Sequence, residues 1–130
     1  MSNQTQRGIK VTPKPQYLED QSKPDQQLFV WAYTILIENE GPGTVKLLNR
    51  HWHITDALGR ERDVRGPGVV GEQPVLRPGE AFEYTSGVPL STPSGIMHGE
   101  YEMELESGDT FEVNIPAFSL DSPIGNSRPN

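Results

Sequence analysis

The sequence predicts an all-β protein, an antiparallel sandwich of seven or eight strands in two sheets. Apolar residues recur with a period of two, which places alternate side chains on opposite faces of a strand. Twelve prolines and thirteen glycines separate these stretches, as turns separate short strands. No stretch of the sequence has the apolar stripe of a helix of normal length.

The first long strand is predicted at residues 28–38, which are rich in aromatic and β-branched side chains. The Gly-Pro-Gly run at 41–43 predicts a turn, and residues 44–56 predict a second strand that forms a hairpin with the first. Strict alternation in the second strand places Leu48, Trp52 and Ile54 on one face. The other face then carries Asn49, His51, His53 and Thr55.

Shorter strands are predicted at residues 61–65 and 81–85, where alternation returns after each turn signal. Prolines and glycines within residues 87–99 predict a long connection. The last hairpin is predicted at 101–105 and 111–115, joined by a Ser-Gly-Asp turn.

This strand pattern favours an immunoglobulin-like or fibronectin type III-like topology. Tyr101 follows the predicted long connection and precedes the inward-facing Met103 by two positions. Such a position predicts a tyrosine corner, in which the phenol hydroxyl hydrogen-bonds to the backbone.

Length and composition predict one domain over residues 1–130, with a core at about 8–120 and flexible polar ends at 1–7 and 121–130. The chain has no cysteine, which excludes disulfides, Cys-ligated metals and cysteine nucleophiles. The net charge of −7 disfavours nucleic acid as a partner, because a phosphate backbone requires a clustered basic surface. The sequence has neither a signal peptide nor a membrane-spanning run, and we expect a cytoplasmic protein.

Residues 66–71 read G-P-G-V-V-G, the glycine spacing that binds a pyrophosphate in dinucleotide-binding folds. Pro74 and Pro78 prevent the helix that this use requires, so the run predicts a loop between strands. The amides around Gly66, Gly68 and Gly71 are a candidate nest for an anion, or the glycines serve only to permit unusual backbone angles. An anion bound there would take Arg65 and Arg77 as its counter-charges.

His51 and His53 project from the same face of the predicted strand, with Cα atoms about 6.6 Å apart. That separation allows both imidazoles to bind one transition metal if His98 or a carboxylate supplies a third ligand. The alternative is a pair of outward-facing histidines that flank the inward Trp52.

Four glutamates alternate with Tyr101, Met103 and Leu105, and they predict a solvated face that would favour a basic partner. They are Glu100, Glu102, Glu104 and Glu106.

Arg50 falls on the inward face by strict alternation, where it needs carboxylate or carbonyl partners. Either a bulge turns it outward or it forms a buried pair, with Asp56 or Glu72 as the candidate mates.

Four blocks of the sequence resemble the ApaG family, also called CorD, and occur in the order found in that family. They are 47–56 (LLNRHWHITD), 66–74 (GPGVVGEQP), 78–87 (PGEAFEYTSG) and 99–103 (GEYEM). The resemblance extends over about residues 11–120. It implies a fibronectin type III-like sandwich, genetic links of relatives to cobalt resistance and magnesium efflux, and related protein-binding domains in eukaryotes. No catalytic residue comes with the resemblance.

We therefore expect a non-enzymatic binding module for a protein partner, without a cofactor. The chain has no Gly-x-Ser-x-Gly motif and no local Ser–His pairing that would indicate nucleophilic catalysis. The alternative is a small-ligand sensor that binds a phosphate-rich nucleotide at the glycine loop or a divalent metal at the histidines. The two hypotheses differ in whether a small ligand stabilises the protein saturably.

Overall fold

The computed structural model describes residues 5–123, which form nine β-strands and two short 3-10 turns. Seven of the strands have seven residues or more, and β1 and β6 have two each. The strands are β1 Thr5–Gln6, β2 Ile9–Tyr17, β3 Phe29–Asn39, β4 Val45–Asp56, β5 Glu61–Pro67, β6 Val75–Leu76, β7 Ala81–Leu90, β8 Ser94–Leu105 and β9 Thr110–Asp121. The described residues contain no helix that is long and apolar enough to cross a membrane.

Two antiparallel sheets face each other across one hydrophobic core. The first sheet has the order β1-β2-β3-β7, and the second has the order β5-β4-β8-β9, with β6 paired to β4. This arrangement confirms the predicted fibronectin type III-like sandwich. The core is built by alternation: in β3 every second residue from Phe29 to Asn39 is buried.

The predicted hairpin between residues 28–38 and 44–56 is wrong, because β3 and β4 belong to different sheets. The buried side chain of Asn39 turns the chain from one sheet to the other. Its amide nitrogen donates to the carbonyls of Gly43 and Leu76, and its amide oxygen accepts the N–H of Gly41. The glycine–proline–glycine run is therefore a corner between the sheets.

The predicted long connection at residues 87–99 is also wrong. β7 continues to Leu90 and β8 begins at Ser94, so only three residues connect them. The glycines of this stretch lie within strands: Gly99 pairs with Trp52, and a Cβ on Gly99 would overlap the carbonyl of His51. Glycine is used here for a close approach of two backbones, not for a turn.

A β-bulge at Leu48 changes which residues of β4 face the core. Val45 and Leu47 are buried before the bulge, and Trp52 and Ile54 are buried after it. Leu48 is only half-buried, so the prediction that Leu48 shares the inward face is wrong, while that for Trp52 and Ile54 is confirmed.

Tyr101 lies in the middle of β8, and its hydroxyl shares a 2.5 Å hydrogen bond with the hydroxyl of Tyr84. The predicted tyrosine corner is wrong, because a second phenol on the facing sheet takes the place of the backbone partner. Met103 is fully buried, as predicted.

The predicted polar ends lie partly outside the described residues, which exclude 1–4 and 124–130. Within the described part, β1 pairs with β2 and β9 extends to Asp121. The indole N–H of Trp31 donates to the carbonyl of Asp121, which fixes the end of β9 against the first sheet.

Burial predicts that the tyrosines of the core ionise late. Burial is the largest cause that raises the pKa of Tyr33, Tyr84 and Tyr101 above 10, the ordinary value. Their contribution to stability is complete below pH 10 and is lost as the pH rises from there towards the folded-state values. We expect Tyr84 and Tyr101 to remain un-ionised at about pH 11 while the fold persists, as measured by the absorbance of phenolate at 295 nm. Complete tyrosine ionisation at that pH, with an unchanged circular dichroism spectrum, would contradict their burial.

Candidate functional site

The outer face of the second sheet brings all three histidines of the chain together. The register of β4 with β8 places His53 opposite His98 and His51 opposite Glu100. The register of β4 with β5 places His53 opposite Asp63. The histidine–carboxylate cluster is the set His51, His53, His98, Asp63 and Glu100.

The imidazole rings of this cluster lie side by side along the sheet face. The ring centroids of His51 and His53 are 4.1 Å apart, and those of His53 and His98 are 4.7 Å apart with nearly parallel planes. Asp63 and Glu100 lie on opposite sides of the His51–His53 pair, and each carboxylate reaches both rings. On each side of the His51–His53 pair, the cluster therefore places two ring nitrogens beside a carboxylate oxygen.

Two triads within the cluster have geometry that fits a metal ion. In each of His51–His53–Asp63 and His53–His98–Glu100, one potential ligand atom per residue lies within 4.8 Å of the others. The four histidine–carboxylate distances are 3.3–3.4 Å. Ligand atoms about 2.0–2.1 Å from a tetrahedral metal are separated by about 3.3 Å, so little movement would be needed to admit one.

Hydrogen bonding and charge hold the Asp63 carboxylate in its ionised form. The weak hydrogen-bonding contact with His51, at 3.4 Å, is the main reason that the pKa of Asp63 lies below its ordinary value, and electrostatic interactions with His53 and His51 add to it. The Nε2 atom of His51 is buried and lies 3.4 Å from Asp63 Oδ2, in a geometry too poor for a well-formed hydrogen bond. A metal ion placed between this nitrogen and the ionised carboxylate would satisfy both.

The shared outward face of His51 and His53 is confirmed, and the candidate third ligands, His98 or a carboxylate, are both beside them. Asp63 was missed, because its position depends on the register between β4 and β5, for which the sequence carries no local signal.

The glutamates of β8 alternate with core residues as predicted, since Tyr101 and Met103 are buried. Glu102 lies directly opposite Glu112 of β9, and it accepts a 2.6 Å hydrogen bond from the side-chain amide of Asn49. Glu106 follows the end of β8 and is exposed in the turn to β9.

The glycine loop is held by Arg50, whose guanidinium lies over Gly66. A Cβ on Gly66 would lie 2.9 Å from both Nη atoms. Arg50 donates from Nη1 to the carbonyls of Pro67 and Gly68 at 3.0 and 2.9 Å. The inward orientation of Arg50 is confirmed, but its partners are carbonyls, so the predicted carboxylate mates Asp56 and Glu72 are wrong.

Gly68 and Gly71 both have positive φ angles, of 61° and 82°. The N–H of Gly68 donates to the carbonyl of Leu48. Val69 is fully buried and exchanges two backbone hydrogen bonds with Glu72 around a two-residue turn. Gly68 and Gly71 thus serve the backbone geometry of a strand connection, and Gly66 leaves room for the Arg50 guanidinium.

The two arginines predicted beside the glycine loop lie far apart. Arg65 pairs with His51 across the sheet. Arg77 follows β6, which pairs with β4 at Val45 and Lys46, and its guanidinium is 3.8 Å from Glu80. The β4 residues beside the two arginines, His51 and Val45, are six residues apart along the strand, or roughly 20 Å. The geometry does not bring them to one anion.

Comparison with known proteins defines the family of this chain. The family model described as the ApaG domain matches residues 19–105. The chain belongs to the ApaG family. Protein ApaG of Rhodospirillum centenum is 65% identical over 130 residues, which cover 100% of each chain. Protein ApaG of Agrobacterium fabrum is 60% identical over 117 residues, which cover 90% of each chain.

A solved structure of similar fold supports the same assignment. The crystal structure of a protein from Bordetella pertussis named ApaA has a TM-score of 0.86 and is 50% identical. The match covers 88% of this chain and 94% of that one. The sandwich described here is therefore the fold of the ApaG family.

The glycine loop generates a prediction about stability. Gly71→Ala adds a Cβ in open space at positive φ, and we expect a loss of about 1–2 kcal/mol. Gly68→Ala adds a Cβ that would overlap the carbonyl oxygen of Glu72, so the loss should be greater. Urea unfolding of the two variants measures the difference. Equal losses would contradict the close approach of Gly68 to Glu72.

Proposed function

We propose that this protein is a non-enzymatic binding module whose ligand is a divalent transition metal held by the histidine–carboxylate cluster. The observation that carries the proposal is the convergence of imidazole nitrogens and carboxylate oxygens from β4, β5 and β8. Because three strands contribute, the ligands are positioned by the sheet register and not by a flexible loop.

The chemistry of the ligand set favours one class of metal. Imidazole nitrogens combined with carboxylate oxygens suit Zn²⁺, Co²⁺ or Ni²⁺. Mg²⁺ prefers oxygen ligands in a regular octahedron, which this cluster does not supply. The ionised state of Asp63 also favours a cation, because no proton must be displaced from that carboxylate at neutral pH.

We expect the purified protein to bind Co²⁺, with visible absorption bands that report coordination by the cluster. His53→Ala should weaken binding at least tenfold, because His53 belongs to both triads. Glu104→Gln is the matched control, since Glu104 lies on the same face outside the cluster. Binding should also weaken in acid, where protons compete for the imidazole nitrogens.

Two further variants identify which triad is used. Asp63→Asn should weaken Co²⁺ binding only if the His51 side holds the metal, and His98→Ala only if the Glu100 side holds it. Co²⁺ binding that is unchanged in His53→Ala, or an absence of binding at millimolar Co²⁺, would exclude the proposed function.

A basic protein partner is the second candidate function, and the charge of the same sheet face favours it. Glu102 and Glu112 lie directly opposite each other on β8 and β9, an arrangement that destabilises a free sheet. Glu100 and Glu104 continue the same row. A cationic segment bound across these strands would relieve the repulsion.

Glu112→Gln tests this second function. Removal of the like-charge pair should stabilise the free protein by about 0.2–1 kcal/mol at low salt, with a smaller effect at high salt. The same change should weaken binding of an arginine-rich peptide, measured by NMR titration. Glu38→Gln, on the other sheet, is the control. Unchanged peptide affinity in Glu112→Gln would exclude this face as the docking surface.

A further inference from the structure

A second concave site lies on the opposite side of β4 from the histidine–carboxylate cluster. Among residues 5–123, β5 pairs only with β4 and β7 pairs only with β3, so each has one unpaired edge. A cavity of about 330 Å³ opens between these edges and reaches the core. This open-edge cleft is lined by Tyr33, Arg50, Trp52, Arg62, Ser86 and Val88, among others.

The charge of the open-edge cleft is opposite to that of the protein as a whole. The chain carries 18 acidic residues and a net charge of −7, but the cleft is lined by two arginines and by no acidic residue. Arg50 donates to two carbonyls of the glycine loop, and Arg62 donates from Nη2 to the carbonyl of Pro89. Within residues 5–123, neither arginine forms a salt bridge. In the described part of the chain, two guanidinium groups therefore line one cavity with no carboxylate in salt-bridge range.

Neutral donors accompany these charges. Trp52 is 1% exposed and lines the cleft, and its indole N–H has no hydrogen-bond partner among the described residues. A buried donor without a partner costs free energy, which an acceptor in the cleft would recover. The indole N–H of Trp31 provides a contrast, because it donates to the carbonyl of Asp121. Tyr33 and Ser86, directly opposite each other on β3 and β7, add hydroxyl groups to the lining.

We propose that the open-edge cleft binds a small organic oxyanion, a phosphate ester or a carboxylate with an apolar body. Arg50 and Arg62 supply the positive charge, and guanidinium groups match the geometry of both oxyanions. Trp52, Val88 and Met97 provide an apolar wall for the rest of the ligand. A cavity of about 330 Å³ is at the small end of the range for ligand pockets, which suits a ligand of roughly one substituted ring. This site and its ligand are independent of the proposed metal.

NMR spectroscopy of the indole N–H groups tests the proposal directly, because the two tryptophans give two separate signals. We expect phenyl phosphate or benzoate to shift the Trp52 signal saturably and to leave the Trp31 signal almost unchanged. The probe that binds more tightly shows whether the cleft prefers a phosphate ester or a carboxylate. Benzyl alcohol, which has the ring without the charge, should produce no saturable shift at the same concentration.

Arg62→Gln is the decisive variant, because Arg62 is exposed on an edge strand and its loss should leave the fold intact. The affinity for the better probe should fall about tenfold or more. Arg65→Gln is the matched control, since Arg65 lies on the same strand but on the outer face, opposite His51. The proposal is overturned if neither probe shifts Trp52 at about 10 mM, if Arg62→Gln binds as well as the parent, or if benzyl alcohol binds equally well.

Discussion

The β-bulge at Leu48 is the constraint on which both candidate sites depend. Before the bulge, Val45 and Leu47 face the core, and strict alternation from them would turn His51 inward. The extra residue reverses the alternation, so that Trp52 is buried and the histidines face outward. A single inserted residue in β4 therefore decides which side chains reach each side of the sheet.

The consequence is a strand with two different chemistries on its two faces. His51 and His53 lie outward among carboxylates, whereas Arg50 and Trp52 lie inward beside the unpaired edges of β5 and β7. The sheet separates the acidic surface from the cationic cleft. Arg50 also ties the cleft to the glycine loop through two carbonyls, so the loop supports the wall of the cleft.

Alternation of apolar residues was sufficient to predict the fold class and the outward pair of histidines, because both depend on neighbours in the sequence. The features that sequence reasoning missed depend on distant contacts. Asn39 joins two sheets through Gly43 and Leu76, which turned an expected hairpin into a corner. Asp63 meets the histidines only through the register of β5. The bulge moved Leu47 inward in place of Leu48, and no local composition indicates a bulge there.

The prolines within the strands have a consequence for assembly. β5, β7 and β9 are edge strands, and each contains a proline: Pro67, Pro89 and Pro116. Pro13 and Pro15 lie in β2 beyond the short stretch that β1 covers. Because proline has no N–H, these edges are poor templates for an incoming strand, which opposes fibre-like growth from one molecule to the next. Strand-by-strand addition of further molecules at these edges is therefore disfavoured.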